Sequence, residues 1–329
     1  MKIPDIKMVT SENITAVSAP DENHVWIAGD YGVIFHSSDG GTTWREQRSG
    51  VDVMLCDIQF IDTKTGWIVG GQGTLLATTD GGTTWIRYDT GVMRHLLSLS
   101  FVDTQYGWVV GEFATILYTQ DGGKTWQTLG EQSDLLYNRV CFVDRMTGWI
   151  VGEAGLILHT TDGGRTWNQQ MPEFFKRDNL EDEYDRPRPT LFGLSFTDAQ
   201  NGWICGMDST IMRTRDGGAT WELVPTQRGE PLYTICIKGG RSWCVGNKGT
   251  YLLSRDGGEG WQRMEEAITT KVLFADVDFS NDRTGWIVGS SGLIVKTTDG
   301  GESWNFCSGM SYLFEGFSMP EGLEKRIIE

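Results

Sequence analysis

An eight-residue phrase, TTDGGTTW at 78–85, recurs with small changes along the whole chain, and no other feature limits the fold as tightly. Its aspartate stands at Asp39, Asp80, Asp121, Asp162, Asp216, Asp256 and Asp299, a period of 40 to 43 residues broken by one interval of 54. A second phrase, GWIVG or a close variant, precedes each copy, with its tryptophan at Trp26, Trp67, Trp108, Trp149, Trp203, Trp243 and Trp286. Trp44, Trp85, Trp126, Trp167, Trp221, Trp261 and Trp304 follow the turns, and the two sets account for all 14 tryptophans of the 329 residues. A period in this range marks an array of units that cannot bury their own faces and must stack on one another.

Each unit divides into four short β-prone runs. In the second unit they are LCDIQFID, TGWIVGG, TLLATT and TWIRYD, rich in β-branched and aromatic residues and separated by Gly, Asp or Asn. Four strands repeated about every 40 residues predict an all-β, seven-bladed β-propeller with an Asp-box turn in every blade, a single domain over 1–329. Two closures are open to the ring. IPDIKMVT at the start supplies an outer strand to the last blade, or YLFEGFSMPEG near the end supplies an extra strand or a packed tail.

The boxes themselves read as staples. The aspartate and two glycines fall where the third strand reverses into the fourth: glycine reaches positive φ without strain, and an Asp carboxylate takes up backbone amides of the turn. Seven similar turns form a ring around one rim, whereas catalysis needs unlike groups converging on one point.

Composition narrows the function classes. A formal net charge of −16 opposes nonspecific nucleic-acid binding, which depends on Lys and Arg neutralising phosphates. There is no run of 18 apolar residues to span a bilayer as a helix, and MKIPDIKMVT lacks the apolar core of a signal peptide. The six cysteines show no C-x-x-C pair and read as free thiols. The expected compartment is the cytoplasm, or the periplasm or a lumen if a leader has been removed. His36 and His159 share one repeat position in blades one and four, too far apart for a metal site, and no cofactor motif is present.

Binding is expected where the repeat is broken. In a propeller the Asp-box turns share one face with the first-to-second-strand loops. The second-to-third-strand turns and the blade connections form the other face, and there the chain inserts residues 171–189 between blades four and five. The candidate partner-binding residues are Arg94, His95, Tyr137, Arg139, Phe175, Arg177, Tyr184, Arg186 and Arg188, cations and aromatics of the kind that anchor interfaces. Asp57, Arg139 and Asp276 fall at one equivalent inner-strand position, near the central channel. An alternative reading is a sialidase-like carbohydrate-binding or glycoside-hydrolase propeller stacking sugars on Tyr31, Phe113 and Tyr137.

The pairing of the two phrases, as in TGWIVGEAGLILHTTDGGRTW at 147–167, resembles the photosystem II stability and assembly factor-like family and extends over nearly the whole chain. That resemblance implies a non-catalytic seven-bladed propeller that binds a partner through an arginine-bearing face, the partner in photosynthetic members being a newly made reaction-centre protein. The expectation is therefore a protein-binding scaffold or assembly factor without cofactor or metal. Its partner is a protein, with a membrane or multi-subunit enzyme complex among the candidates, without nucleic acid and without direct membrane insertion.

Overall fold

A computed structural model describes residues 9–130, 133–176 and 188–308. Seven antiparallel sheets follow one another along the chain, each with four strands paired in sequence order. The blades span 14–47, 55–87, 96–129, 137–169, 191–223, 232–263 and 274–308. In blade two the strands are Leu55–Phe60, Gly66–Gly70, Thr74–Thr78 and Ile86–Arg87, the outermost only two residues long. The second and third strands are buried throughout, which explains why GWIVG reads as an unbroken apolar run and not as an alternation.

The core lies between blades. Trp26, Ala28 and Ile34 of blade one pack with Leu55, Ile58, Phe60 and Ile68 of blade two, and equivalent clusters fill the other joints. At its centre a second-strand tryptophan stacks on a first-strand phenylalanine of the next blade. The ring centroids are 3.8 Å apart for Trp26–Phe60, 3.6 Å for Trp67–Phe101 and 3.5 Å for Trp149–Phe196. The indole N–H then donates to a glycine carbonyl in the neighbouring Asp-box, Trp67 to Gly122 at 2.9 Å and Trp149 to Gly217 at 3.0 Å. Each phenylalanine lies across the residue that opens the second strand of its own blade. A Cβ on Gly66 would stand 2.7 Å from the Phe60 ring. Volume is conserved across this pair: Ile237 faces Ser242 in blade six, and Ala19 is followed by a second strand beginning at Val25 in blade one.

The Asp-box has the role expected of it. In blade two Asp80 accepts the Thr84 amide at 2.9 Å and the Thr84 hydroxyl at 2.6 Å, while the Thr78 hydroxyl donates to the carboxylate and accepts the Gly82 amide. Gly81 and Gly82 take φ of 72° and 78°, where a side chain is strained.

First strands line the channel, and their amides need partners across to the next blade. Side chains supply them. The Ser18 hydroxyl accepts the Phe60 amide, Asp57 accepts that of Leu99, Gln59 that of Phe101 and Ser100 that of Phe142, at 2.7–3.0 Å. The polar column in the channel is thus largely an inter-blade clasp.

Among the described residues no strand is shared between the first and last blades. Asp276 and Asp278 of blade seven accept the amides of Val17 and Ala19 of blade one. In blades one, two and six the turn glycines Gly32, Gly73 and Gly249 lie under the carbonyls of Val51, Val92 and Thr270 in the connection that follows. In blade seven Gly292 lies under Thr10. Residues 9–13 therefore occupy the track of the missing seventh connection. Residues 1–8 and the stretch YLFEGFSMPEG lie outside the described residues.

Candidate partner-binding face

The seven second-to-third-strand turns share one backbone geometry. Their central residues Tyr31, Gln72, Phe113, Ala154, Asp208, Lys248 and Ser291 all have φ between 49° and 58°. A second left-handed residue follows, glycine in five blades, Ala114 and Ser209 in the other two, so these are type I′ turns. Holding a non-glycine residue there costs about 1–2 kcal/mol, and only glycine, Asn or Asp would relieve it. Tyr31 at 68% exposed and Phe113 at 47% exposed are large side chains set out in solvent on strained backbone. Strain of this kind concentrates at binding sites.

Three of the four acids of these turns are engaged. Glu112 accepts the His95 amide, Glu153 that of Leu136, and Asp30 accepts from the side-chain amide of Asn13. Glu230 holds Lys248 at 2.7 Å and Asn247 at 3.1 Å. Arg94 lies over the Phe113 ring, 4.8 Å from its centroid, and His95 is exposed beside it. A second group surrounds the connection into blade five. Phe174, exposed Arg188 and exposed Arg228 border a cavity of about 690 Å³, with Leu223 and Pro225 on its far wall.

Two of the expected contact residues are withdrawn from the face. Tyr137 is buried in the joint between blades three and four, and burial raises its phenol pKa. It is not a sugar platform or a contact residue, because it occupies the column of Leu55, Leu96, Leu191 and Leu232, all fully buried. Phe175 packs over Gly155, whose Cβ would meet the ring at 2.9 Å, and its neighbour Phe174 is the exposed one. Arg177, Tyr184 and Arg186 lie outside the described residues.

Arg139 belongs to the channel and not to the outer face. Its guanidinium is 3.5 Å from buried Asp57. Burial works to lower its pKa, but the carboxylates of Asp57 and Asp276 outweigh that and hold it above its ordinary value. Burial pushes Asp276 up to about 7, against the pull of Arg139 and with the added push of Asp57. The shared level of Asp57, Arg139 and Asp276 is as the repeat predicts, in a channel of about 330 Å³. Among the described residues no group of three or more His, Cys, Asp or Glu side chains is disposed to hold a metal. His36 does have an aromatic neighbourhood that the repeat did not reveal: it stacks on Trp26 at 4.1 Å and on His24 at 5.8 Å, and burial lowers its pKa to about 4.

Solved structures share this ring. A YCF48 bound to D1 peptide superposes with a TM-score of 0.71 at 21% identity, over 89% of this chain and 94% of that one. The GH74 xyloglucanase of Xanthomonas campestris gives 0.71 at 10% identity, over 92% of this chain and 55% of its own, a likeness of fold alone. In sequence, Photosystem II assembly protein Ycf48 of Thermosynechococcus vestitus is 52% identical over 33 residues, which is only 10% of this chain and 10% of that relative. The profile described as Photosynthesis system II assembly factor YCF48 matches residues 47–93, 87–173, 186–267 and 265–313. Those matches take in all of blades two to seven, and the chain belongs to that family.

Proposed function

We propose that this propeller docks a segment of a protein partner on the face formed by its second-to-third-strand turns and blade connections. Membership in an assembly-factor family makes it a non-catalytic, protein-binding scaffold. The observation that carries the choice of face is the exposure of Tyr31 and Phe113 on strained left-handed backbone, beside Arg94 and His95. A rigid ring with aromatic and cationic side chains on one side suits a peptide with apolar side chains and carboxylates. A YCF48 propeller of the same fold carries a D1 peptide, which supports a peptide-sized ligand. The partner we favour is a subunit of a membrane or multi-subunit complex, met during its assembly.

The test is a cross-linked pull-down of the tagged chain from its host, with soluble and detergent-solubilised membrane fractions read separately by mass spectrometry. One stoichiometric partner, lost in a combined Arg94→Ala, Phe113→Ser and Arg188→Ala variant that stays folded, is the expected result. A partner retained at full yield by that variant would remove this face from the reading.

A further inference from the structure

On blades one to three, four exposed apolar side chains stand along an arc of the turns and blade connections. Tyr31 is 68% exposed, Met54 40%, Met93 76% and Phe113 47%. Backbone bonds tie their carriers together: the Gly32 amide donates to Val53, that of Gly71 to Met54 and that of Gly73 to Arg94, whose guanidinium covers Phe113. Large apolar side chains gathered in solvent on one face mark an interaction site.

The chain itself offers an occupant. In the other six blades described residues of the connection that follows lie on a track beside the turn, at Val51, Val92, Leu135, Arg188, Glu230 and Thr270. In blade seven residues 9–13 fill that track, with Thr10 over Gly292. The last strand, Asn305–Ser308, pairs Ser308 with Ile294, next to the turn at 290–292, so the chain emerges on this same face with its usual path taken. Blade one, which carries Tyr31, is the neighbour across the seam.

Residues 309–329 then number 21 and contain YLFEGFSM at 312–319, with five large apolar residues, three of them aromatic, around Glu315, Gly316 and Ser318. An extended chain of that length reaches about 70 Å, ample for the arc. Glu315 within the run is opposite in sign to Arg94.

We infer that residues 312–319 seat on the Tyr31–Met54–Met93–Phe113 arc of the same molecule, so that the segment serves as an internal ligand that a partner must displace. The inference goes beyond the partner-binding reading and is tested without any partner.

The full chain is made with the photo-cross-linking residue p-benzoylphenylalanine in place of Phe314, irradiated at low protein concentration, and its adducts mapped by mass spectrometry. The expected adducts lie within one molecule, on peptides containing Tyr31, Met54, Met93 or Phe113. Their yield falls severalfold when Tyr31→Ser and Met93→Ser are introduced, both at exposed positions that leave the core intact. Adducts elsewhere on the ring, adducts only between molecules, no adduct, or an unchanged yield in that variant would each overturn the inference. Loss of the pull-down partner would leave this result untouched, which keeps the two failures apart.

Discussion

The carboxylate of Asp276 accepts the amide of Val17 at 2.9 Å, a bond between residues 259 positions apart that holds the last blade to the first. The same carboxylate also accepts the Val277 amide at 3.0 Å, and lies in the field of Arg139 and Asp57. Its two bonds make it a clasp, while its burial disfavours its charge.

That conflict gives a pH signature. The folded pKa of about 7 lies above the ordinary 3.8, so the folded state holds a proton that the unfolded chain has released. The contribution to stability is complete below about pH 4 and is lost as pH rises through 7. Asp276→Asn cannot release a proton, so its stability should fall less between pH 4 and pH 7 than that of the parent. Denaturant midpoints across that range check this; parallel curves for the two proteins would disprove it.

The Asp-boxes titrate the other way. Hydrogen bonds from the Thr166 side chain and backbone lower the Asp162 pKa to about 2, and those from Thr43 do the same for Asp39. The sign reverses accordingly: the folded state keeps the charge, stability from these groups is complete above about pH 4, and it is lost as pH falls towards 2. Asp162→Asn should be less stable than the parent at pH 7, and the difference should shrink steadily below pH 4. Thermal melts at stepped pH would show it, and a constant difference would count against the assignment.

The Gly–Phe pair of five blades, replaced by other residues in blades one and six, predicts a compensating pair. A Cβ on Gly148 would lie 2.6 Å from the Phe142 ring, so Gly148→Ala should destabilise by about 1–3 kcal/mol through overpacking. Phe142→Ala alone opens a cavity and should cost about 3–5 kcal/mol. Together they should cost clearly less than their sum, as Val25 with Ala19 in blade one suggests. Urea unfolding of the two single variants and the double variant measures the coupling.

Relief of turn strain should be visible at the turn whose central side chain is smallest. Ala154 is exposed at φ 53°, and Ala154→Gly should stabilise by about 1 kcal/mol or slightly less, the relief of strain exceeding the added freedom of the unfolded chain. A shift in the denaturant midpoint with an unchanged slope is the readout.

Once a partner is in hand, Arg94→Ala with Arg188→Ala should weaken binding about tenfold or more and flatten its salt dependence, because rim cations act through screened attraction. Titration at two ionic strengths decides it; equal slopes would leave both arginines as bystanders.

What the chain discloses before it folds depends on whether a residue answers to the repeat. The Asp-boxes, the paired tryptophans and the level shared by Asp57, Arg139 and Asp276 recur with the period, and all are where the period puts them. Tyr137 answers to the repeat as well, since it stands in a column of buried leucines. Phe174 and Phe175 are adjacent in an inserted segment with no counterpart in other blades, so nothing in the repeat says which of the two is buried. Closure was the least legible feature. Residues 9–13 carry neither repeated phrase, and they show themselves only through Thr10 taking the place of Val51, Val92 and Thr270.

The seam between blades seven and one uses the same parts as other joints, a crossing segment over the turn and side-chain oxygens on first-strand amides. A ring whose seam is made of such parts has no privileged first blade. Opening the chain at another connection and bridging the present ends should therefore yield a circularly permuted protein with the same seven sheets, its termini moved around the rim like the gap in a bracelet.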